Sequence, residues 1–296
     1  MKTDGTLQEQ AKSSQYVISS FISGALAAAL AKTVIAPLDN TKLAFQISTS
    51  KKYSLKAALS FIRDTYHNYG FTALFRGNSA QMARIMPFAA FKFGSFEVYN
   101  KLLHVDEHGN LTPWRRLCCG TLAGLTATCI TYPLDRARAR LATMKEYKNL
   151  IDVFLKDYRR FGGSCFYVGM FPSLLGIIPY SGVSFFTYGT LRIHYKEYFG
   201  KDPGALENFG FGAISGVGGQ ILAYPLDIVR RRMQTGRLPP NEGVFFALFR
   251  IYRTEGFVGG LYKGLSMNWI KGPIASGIVF ASYEFLKRFF VVIKLQ

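Results

Sequence analysis

The chain has 296 residues, with 36 Lys+Arg against 18 Asp+Glu for a formal charge of +18, yet 49% of it is apolar. A charge of this size points to a partner made of phosphate, either nucleic acid or an anionic membrane or ligand. A mean hydropathy of +0.12 with 26 Phe and 29 Gly is too greasy for a typical nucleic-acid binder and excludes disorder and collagen.

Residues 1–15 read as a polar N-terminal tail whose Asp4 and Glu9 fit neither a secretory signal nor an acid-free transit peptide, so any address is internal. Tyr16 to Ala36 follows, long enough as a helix to cross a hydrocarbon core of about 30 Å, with one charge, Lys32, inside it. Pro37-Leu38-Asp39 ends this span and Lys42 lies three residues after the acid. Next come a short amphipathic stretch (SLKAALSFIRDTYHN), a glycine-bounded aromatic segment (GFTALFRG) and a second apolar span, Ser79 to Leu103. The order then recurs. Leu117 to Tyr132 leads to Pro133-Leu134-Asp135 with Arg138, then NLIDVFLKDYRRF, GGSCFYVG and Met170 to Leu191. Phe209 to Tyr224 leads to Pro225-Leu226-Asp227 with Arg230, then EGVFFALFRIYRT, GFVGGLYKG and Ser266 to Val292.

The three PLD tripeptides are 96 and 92 residues apart, so the chain is a threefold repeat over residues 16–104, 105–200 and 201–296. Acid and base at i, i+3 share one helix face, beside a proline that bends the axis. Cations at membrane depth are tolerated where they face a protein interior or a watery cavity, so the charges point inward. Gly120-x₃-Gly124 and Gly212-x₃-Gly216 are faces on which helices pack closely. Four clustered cysteines, Cys118, Cys119, Cys129 and Cys165, read as free thiols. His67, His104, His108 and His194 lack ligand spacing, and no nucleophile-base pair or phosphate loop is present, so neither an enzyme, a metal nor a cofactor is expected. A nucleic-acid binder accounts for the charge and a structural membrane protein for the spans; a transporter accounts for both.

Pro-x-acid-x-x-base, three times in register and followed by the glycine-bounded aromatic segment, resembles the mitochondrial carrier family. The resemblance implies an all-α membrane protein: six transmembrane helices in three two-helix repeats with pseudo-threefold symmetry, short amphipathic helices on the matrix side, and alternating access. It implies the mitochondrial inner membrane and a monomer. An even number of spans puts both termini on one side, and the basic loops after the odd spans, with Lys51, Lys52, Lys145, Lys148 and Arg237 among them, fit the matrix, so the termini face the intermembrane space.

By the family's pairing rule a matrix gate joins Asp39 with Arg138, Asp135 with Arg230 and Asp227 with Lys42. Gln46 and Gln234 brace it from nine residues after their prolines. Repeat two has Ala142 there, and repeat one has Ala44 where a second base is usual. The cytosolic gate is incomplete. Tyr283-Glu284 with Lys287 is intact, but Asn100 replaces the base after Glu97 and Gly189 the acid before Arg192. One pairing direction leaves Arg192 with Glu284 and Lys287 with Glu97; the other leaves only Glu97 with Arg192. The matrix gate is the stronger in either case.

The family's substrate positions, midway along the even spans, fall on Arg84, Gly176-Ile177 and Lys271, with Lys32 joining from the first span and Tyr180 one turn on. Cations converging in a partly dehydrated cavity call for a multiply charged anion, and a Gly-aliphatic pair resembles the family's adenine-nucleotide carriers. AKTVIAPLDNTKLAFQ, GIIPYSGVSFFTY and GLYKGLSMNWIKGPIASGI look most like its coenzyme A carrier branch, which implies exchange of coenzyme A, dephospho-coenzyme A or adenosine 3′,5′-bisphosphate. Carriers of ADP/ATP, ATP-Mg/phosphate or thiamine pyrophosphate are the alternative. Arg76-Gly77, Gly169 and Lys263-Gly264 open the even spans, where the family holds cardiolipin; Val168 in place of the base makes the second such site weaker.

Overall fold

The computed structural model describes residues 3–49, 53–103 and 113–293, with side chains over 23–49, 53–103 and 114–286. Among the described residues there is no strand. Repeat one comprises α1 (Thr3–Ile47), α2 (Leu55–Tyr69), a tight turn at Phe71–Phe75 and α3 (Asn78–Leu102). Repeat two comprises α4 (Pro113–Thr143), α5 (Leu150–Phe161), a turn at Gly163–Tyr167 and α6 (Met170–Phe199). Repeat three comprises α7 (Ala205–Gln234), α8 (Val244–Glu255), a turn at Phe257–Leu261 and α9 (Leu265–Ile293). The polar leading segment, expected as a tail, instead prolongs α1 back to Thr3; its Leu, Gln, Glu and Lys residues are good helix formers.

Capping fixes the short helices. Ser54 accepts from the Ala57 amide at 3.1 Å and Asn149 from the Asp152 amide at 2.9 Å. Gly70, Gly162 and Gly256 end α2, α5 and α8 at φ of 79°, 74° and 81°, a region that disfavours side chains. The third turn is a π-helix rather than a 3-10 helix, which absorbs the extra residue between Gly256 and Gly264.

Pro37, Pro133 and Pro225 all lie inside the long helices α1, α4 and α7. α3 runs against α4, α6 against α7 and α9 against α1, so the six long helices close into a ring in which the last meets the first. Burial concentrates where α1, α4 and α7 converge, around Ile35, Tyr132, Ala137, Tyr224, Ile228 and Val229. Large apolar side chains such as Phe93, Val98, Phe186, Ile193, Leu206 and Phe280 are exposed on the long helices. Two helices, Trp114–Thr143 and Gly163–Phe199, are long and apolar enough to cross a hydrocarbon core by composition alone, at a mean hydropathy of 1.4.

Candidate functional site

The repeat carries each PLD aspartate to the same height on α1, α4 and α7, one turn before its base. There each carboxylate pairs with a base from another repeat. Arg138 Nη2 lies 3.0 Å from Asp39, Arg230 Nη2 2.5 Å from Asp135, and Lys42 Nζ 3.5 Å from Asp227. These are the partners that the family's pairing rule names.

The glutamines sit on two of them. Gln46 Nε2 donates to Asp227 at 3.1 Å and to the Tyr224 hydroxyl at 3.2 Å; Gln234 Nε2 donates to Asp135 and to the Tyr132 hydroxyl, both at 2.9 Å. Each tyrosine in turn donates to a carbonyl just before the next long helix, Val168 at 3.1 Å and Lys263 at 2.8 Å. Repeat one has Ala36 before its proline where the others have Tyr132 and Tyr224. The Asp39 pair therefore lacks tyrosine and glutamine together, since Ala142 stands in the third brace position. The sequence held this signal in YPLD, YPLD and APLD.

Two of the expected central cations are already engaged. Arg84 Nη1 lies 2.5 Å from the second oxygen of Asp135, and Lys271 Nζ 2.6 Å from the second oxygen of Asp39. Carboxylates thus hold two of the three cations. Lys32 makes no ion pair among the described residues. The corresponding position on α6 is Gly176, which has nothing to offer Asp227. A cavity of about 280 Å³ opens there instead, lined by Gly176, Ile177, Tyr180, Asp227, Arg230, Arg231 and Asn268 among others. A Cβ on Gly176 would meet Leu226 at an ordinary 3.6 Å, so the glycine widens the slot rather than relieving a clash.

Arg231 was missed by sequence reasoning. Its guanidinium lies 3.3 Å from Asp135 and 3.6 Å from Asp227, and donates to Gln234 at 3.0 Å, tying two pairs together. In all, Lys32, Lys42, Arg84, Arg138, Arg230, Arg231 and Lys271 face Asp39, Asp135 and Asp227, an excess of four positive charges (7 − 3).

At the opposite end Glu97, Arg192 and Glu284 are exposed and form no ion pair with one another among the described residues; the Lys287 side chain lies outside them. Asn100 Oδ1 is sealed from solvent without a partner, and a Cβ on Gly189 would meet nothing within 4 Å.

The bases assigned to lipid are turned elsewhere, which corrects that reading. Arg76 donates to the carbonyl of Leu141 in the last turn of α4 and to those of Met144 and Tyr147 beyond it, and Lys263 to that of Ser48 beyond the end of α1. Helix C-termini hold cations well, because their last carbonyls have no helical partner. Burial pulls the Lys263 ammonium below its ordinary value, with nearby Glu255 opposing. Gly77, Gly169 and Gly264 keep positive φ and pack close to the neighbouring long helix: a Cβ on Gly169 would lie 3.0 Å from the Tyr132 hydroxyl and 3.2 Å from the Arg230 carbonyl.

A family model described as mitochondrial carrier protein matches residues 13–107, 109–199 and 201–294. The mitochondrial coenzyme A transporter SLC25A42 of Homo sapiens is 50% identical over 279 residues, covering 92% of this chain and 87% of its own. That of Xenopus laevis is 48% identical over 286 residues, with coverage of 94% and 87%. Human solute carrier family 25 member 16 is 36% identical over 297 residues, with coverage of 93% and 89%. Three matches in tandem account for nearly every residue, and the chain belongs to the mitochondrial carrier protein family.

Proposed function

We infer that the chain is a transporter of the mitochondrial inner membrane that exchanges coenzyme A and related adenine nucleotides by alternating access. The observation that carries this is the excess of four positive charges on buried and half-buried side chains gathered around the three PLD aspartates. A phosphomonoester contributes up to about two negative charges at neutral pH and a bridging diphosphate about two more, so coenzyme A and adenosine 3′,5′-bisphosphate match the excess. Substrate phosphates compete with Asp135 for Arg84 and with Asp39 for Lys271. That competition frees the aspartates and loosens the matrix gate, which makes gate opening depend on a ligand with several phosphates. Lys32 is the cation available first. The curated relatives at about 50% identity are coenzyme A transporters, which supports the same cargo.

In this reading the ring is six transmembrane helices in pseudo-threefold repeats. Its exposed Phe, Val, Ile and Leu side chains face lipid, and α2, α5 and α8 lie at the matrix surface with both termini toward the intermembrane space. The described conformation has the matrix gate shut. It functions as a monomer without metal or nucleic acid. Cardiolipin is held by the backbone amides that follow Gly77, Gly169 and Gly264, with Arg76 and Lys263 serving instead to join repeats.

Counter-exchange in liposomes tests the assignment. Uptake of labelled coenzyme A against internal adenosine 3′,5′-bisphosphate is expected, with Arg84→Ala or Lys271→Ala abolishing exchange in protein that still folds. Uptake of ADP and ATP alone, with coenzyme A excluded, would overturn the cargo.

A further inference from the structure

The cavity beside Asp227 contains a buried carboxamide that the gate does not use. Asn268, on the first turn of α9, is 5% exposed and lines the slot opposite Gly176 and Ile177. Its Oδ1 is sealed from solvent and accepts no hydrogen bond among the described residues. A buried carbonyl left without a donor costs about 1–3 kcal/mol, a cost that a ligand supplying the donor would remove. Gln220 on α7 lines the same slot. Of the other polar groups nearby, Ser173 donates to the Gly169 carbonyl at 2.9 Å, Tyr224 to the Lys263 carbonyl, Asp227 is held by Lys42 and Gln46, and Arg230 Nε is a sealed donor without an acceptor among the described residues.

The slot's size and walls narrow the ligand. At about 280 Å³ it lies at the lower end of small-molecule pockets, room for a flat ring rather than a whole dinucleotide-sized cargo. A glycine floor with Ile177 and Tyr180 beside it suits a planar face. What remains to be matched is the ring's edge, and the unmet need is for an N–H donor. Adenine presents an exocyclic amine next to a ring-nitrogen acceptor, the pair that a carboxamide reads with both its atoms. Hypoxanthine and guanine place a carbonyl oxygen there, which would face Oδ1 lone pair to lone pair.

Resting on the adenine-nucleotide reading above, we propose that Asn268 is the specificity-determining residue for the base: on ligand entry its carboxamide turns into the slot, where Oδ1 accepts from the adenine amine while Nδ2 donates to the adjoining ring nitrogen. The carrier then excludes 6-oxopurines by leaving two acceptors opposed. The charged groups at the gate read phosphate and are blind to the base.

The test compares ADP with IDP, and adenosine 3′,5′-bisphosphate with its inosine counterpart, as competitors of coenzyme A uptake into liposomes. Wild-type carrier is expected to prefer each adenine form by about tenfold to a hundredfold, the discrimination of one bidentate contact. Asn268→Leu, of similar volume, is expected to bring the ratio within about threefold of one, mainly by weakening the adenine ligand. Asn268→Asp, which keeps an acceptor but loses the donor, is expected to lie between. A wild-type ratio near one overturns the proposal without any variant, and so does an Asn268→Leu ratio equal to wild type. If that variant does not insert, ligand-dependent thermal stabilisation of detergent-solubilised wild type by the four nucleotides gives the same answer. Failure of coenzyme A uptake in wild type would strike the function itself; intact uptake without base discrimination would strike only Asn268.

Discussion

Asp135 is the most heavily engaged of the three aspartates: its side chain is 0% exposed and meets Arg230, Arg84, Arg231 and Gln234. Asp227, 26% exposed, has the Gln46 hydrogen bond at 3.1 Å but only long ionic contacts, 3.5 Å to Lys42 and 3.6 Å to Arg231. Removing one partner of a buried pair strands charge at a cost of about 3–5 kcal/mol, whereas partly hydrated pairs are worth about 1 kcal/mol or less. Asp135→Asn is therefore expected to lower the melting temperature in detergent most, Asp39→Asn less and Asp227→Asn least; equal losses would mean that burial does not rank the gate. The unbraced Asp39 pair offers the reverse experiment. Ala142→Gln places an amide nine residues after Pro133, as Gln46 and Gln234 stand after theirs, and adds one hydrogen bond worth about 1 kcal/mol. That variant is expected to raise thermal stability and slow exchange severalfold; no change in either would show that the brace does not limit opening.

The secondary elements were largely legible because repetition exposes them: three prolines, three acid-base pairs and three glycine-bounded turns fix α1 through α9 without any contact being known. What stayed hidden depends on which atoms meet. The repeat pattern pairs Arg230 with Asp135, but nothing in the Arg231-Arg232 that follow says that the first bridges two gate pairs and the second pairs with Glu255, because those destinations are 100° apart around one helix. Likewise Arg76 and Lys263 look free in sequence, and only the course of the chain past α4 and α1 shows the carbonyls they hold. The departure at Ala44 also acquires meaning. Seven residues after the other prolines stand Arg140, which meets Asp157 at 2.8 Å, and Arg232, which meets Glu255. Tyr147 donates to the same Asp157, and burial together with that bond pushes its phenol well above the ordinary range. Repeat one has instead an open cavity of about 840 Å³ lined by Ala44, Asp64, Thr65, Leu74 and Arg76 among others. Segments with fewer buried ties open more readily. Amide exchange over residues 55–75 is thus expected to outpace that over 150–167 and 244–261 in detergent micelles, and equal protection would contradict it. Gly169→Ala is expected to cost more than Gly264→Ala: both carry the strain of a positive φ, about 1–2 kcal/mol, but only the first also meets atoms at 3.0 and 3.2 Å.

Across the whole molecule the two ends of the ring are unequal. One end is tied by three interlocked pairs with two glutamine braces and Arg231, while at the other the acids and base lie in solvent. A carrier moves its cargo only if binding offsets the opening of each closure in turn, and micromolar to millimolar affinities supply about 4 to 8 kcal/mol. With one end this well secured, a weak opposite closure would keep the cycle within that limit, and the substrate-free protein is expected to rest open toward the side where Glu97, Arg192 and Glu284 stand. The missing partners are the lever. Gly189 faces open space, so an acid fits there, and Asn100 already holds an unsatisfied oxygen that a lysine would remove. Asn100→Lys with Gly189→Asp restores the absent pair and is expected to slow coenzyme A exchange severalfold by deepening the opposite closed state. Either substitution alone supplies one charge without its partner and is expected to leave the rate near wild type. The coupling between them is the measurement: a double-variant rate equal to the product of the two single effects would mean that no pair forms on closure, and that the openness of this end is set elsewhere.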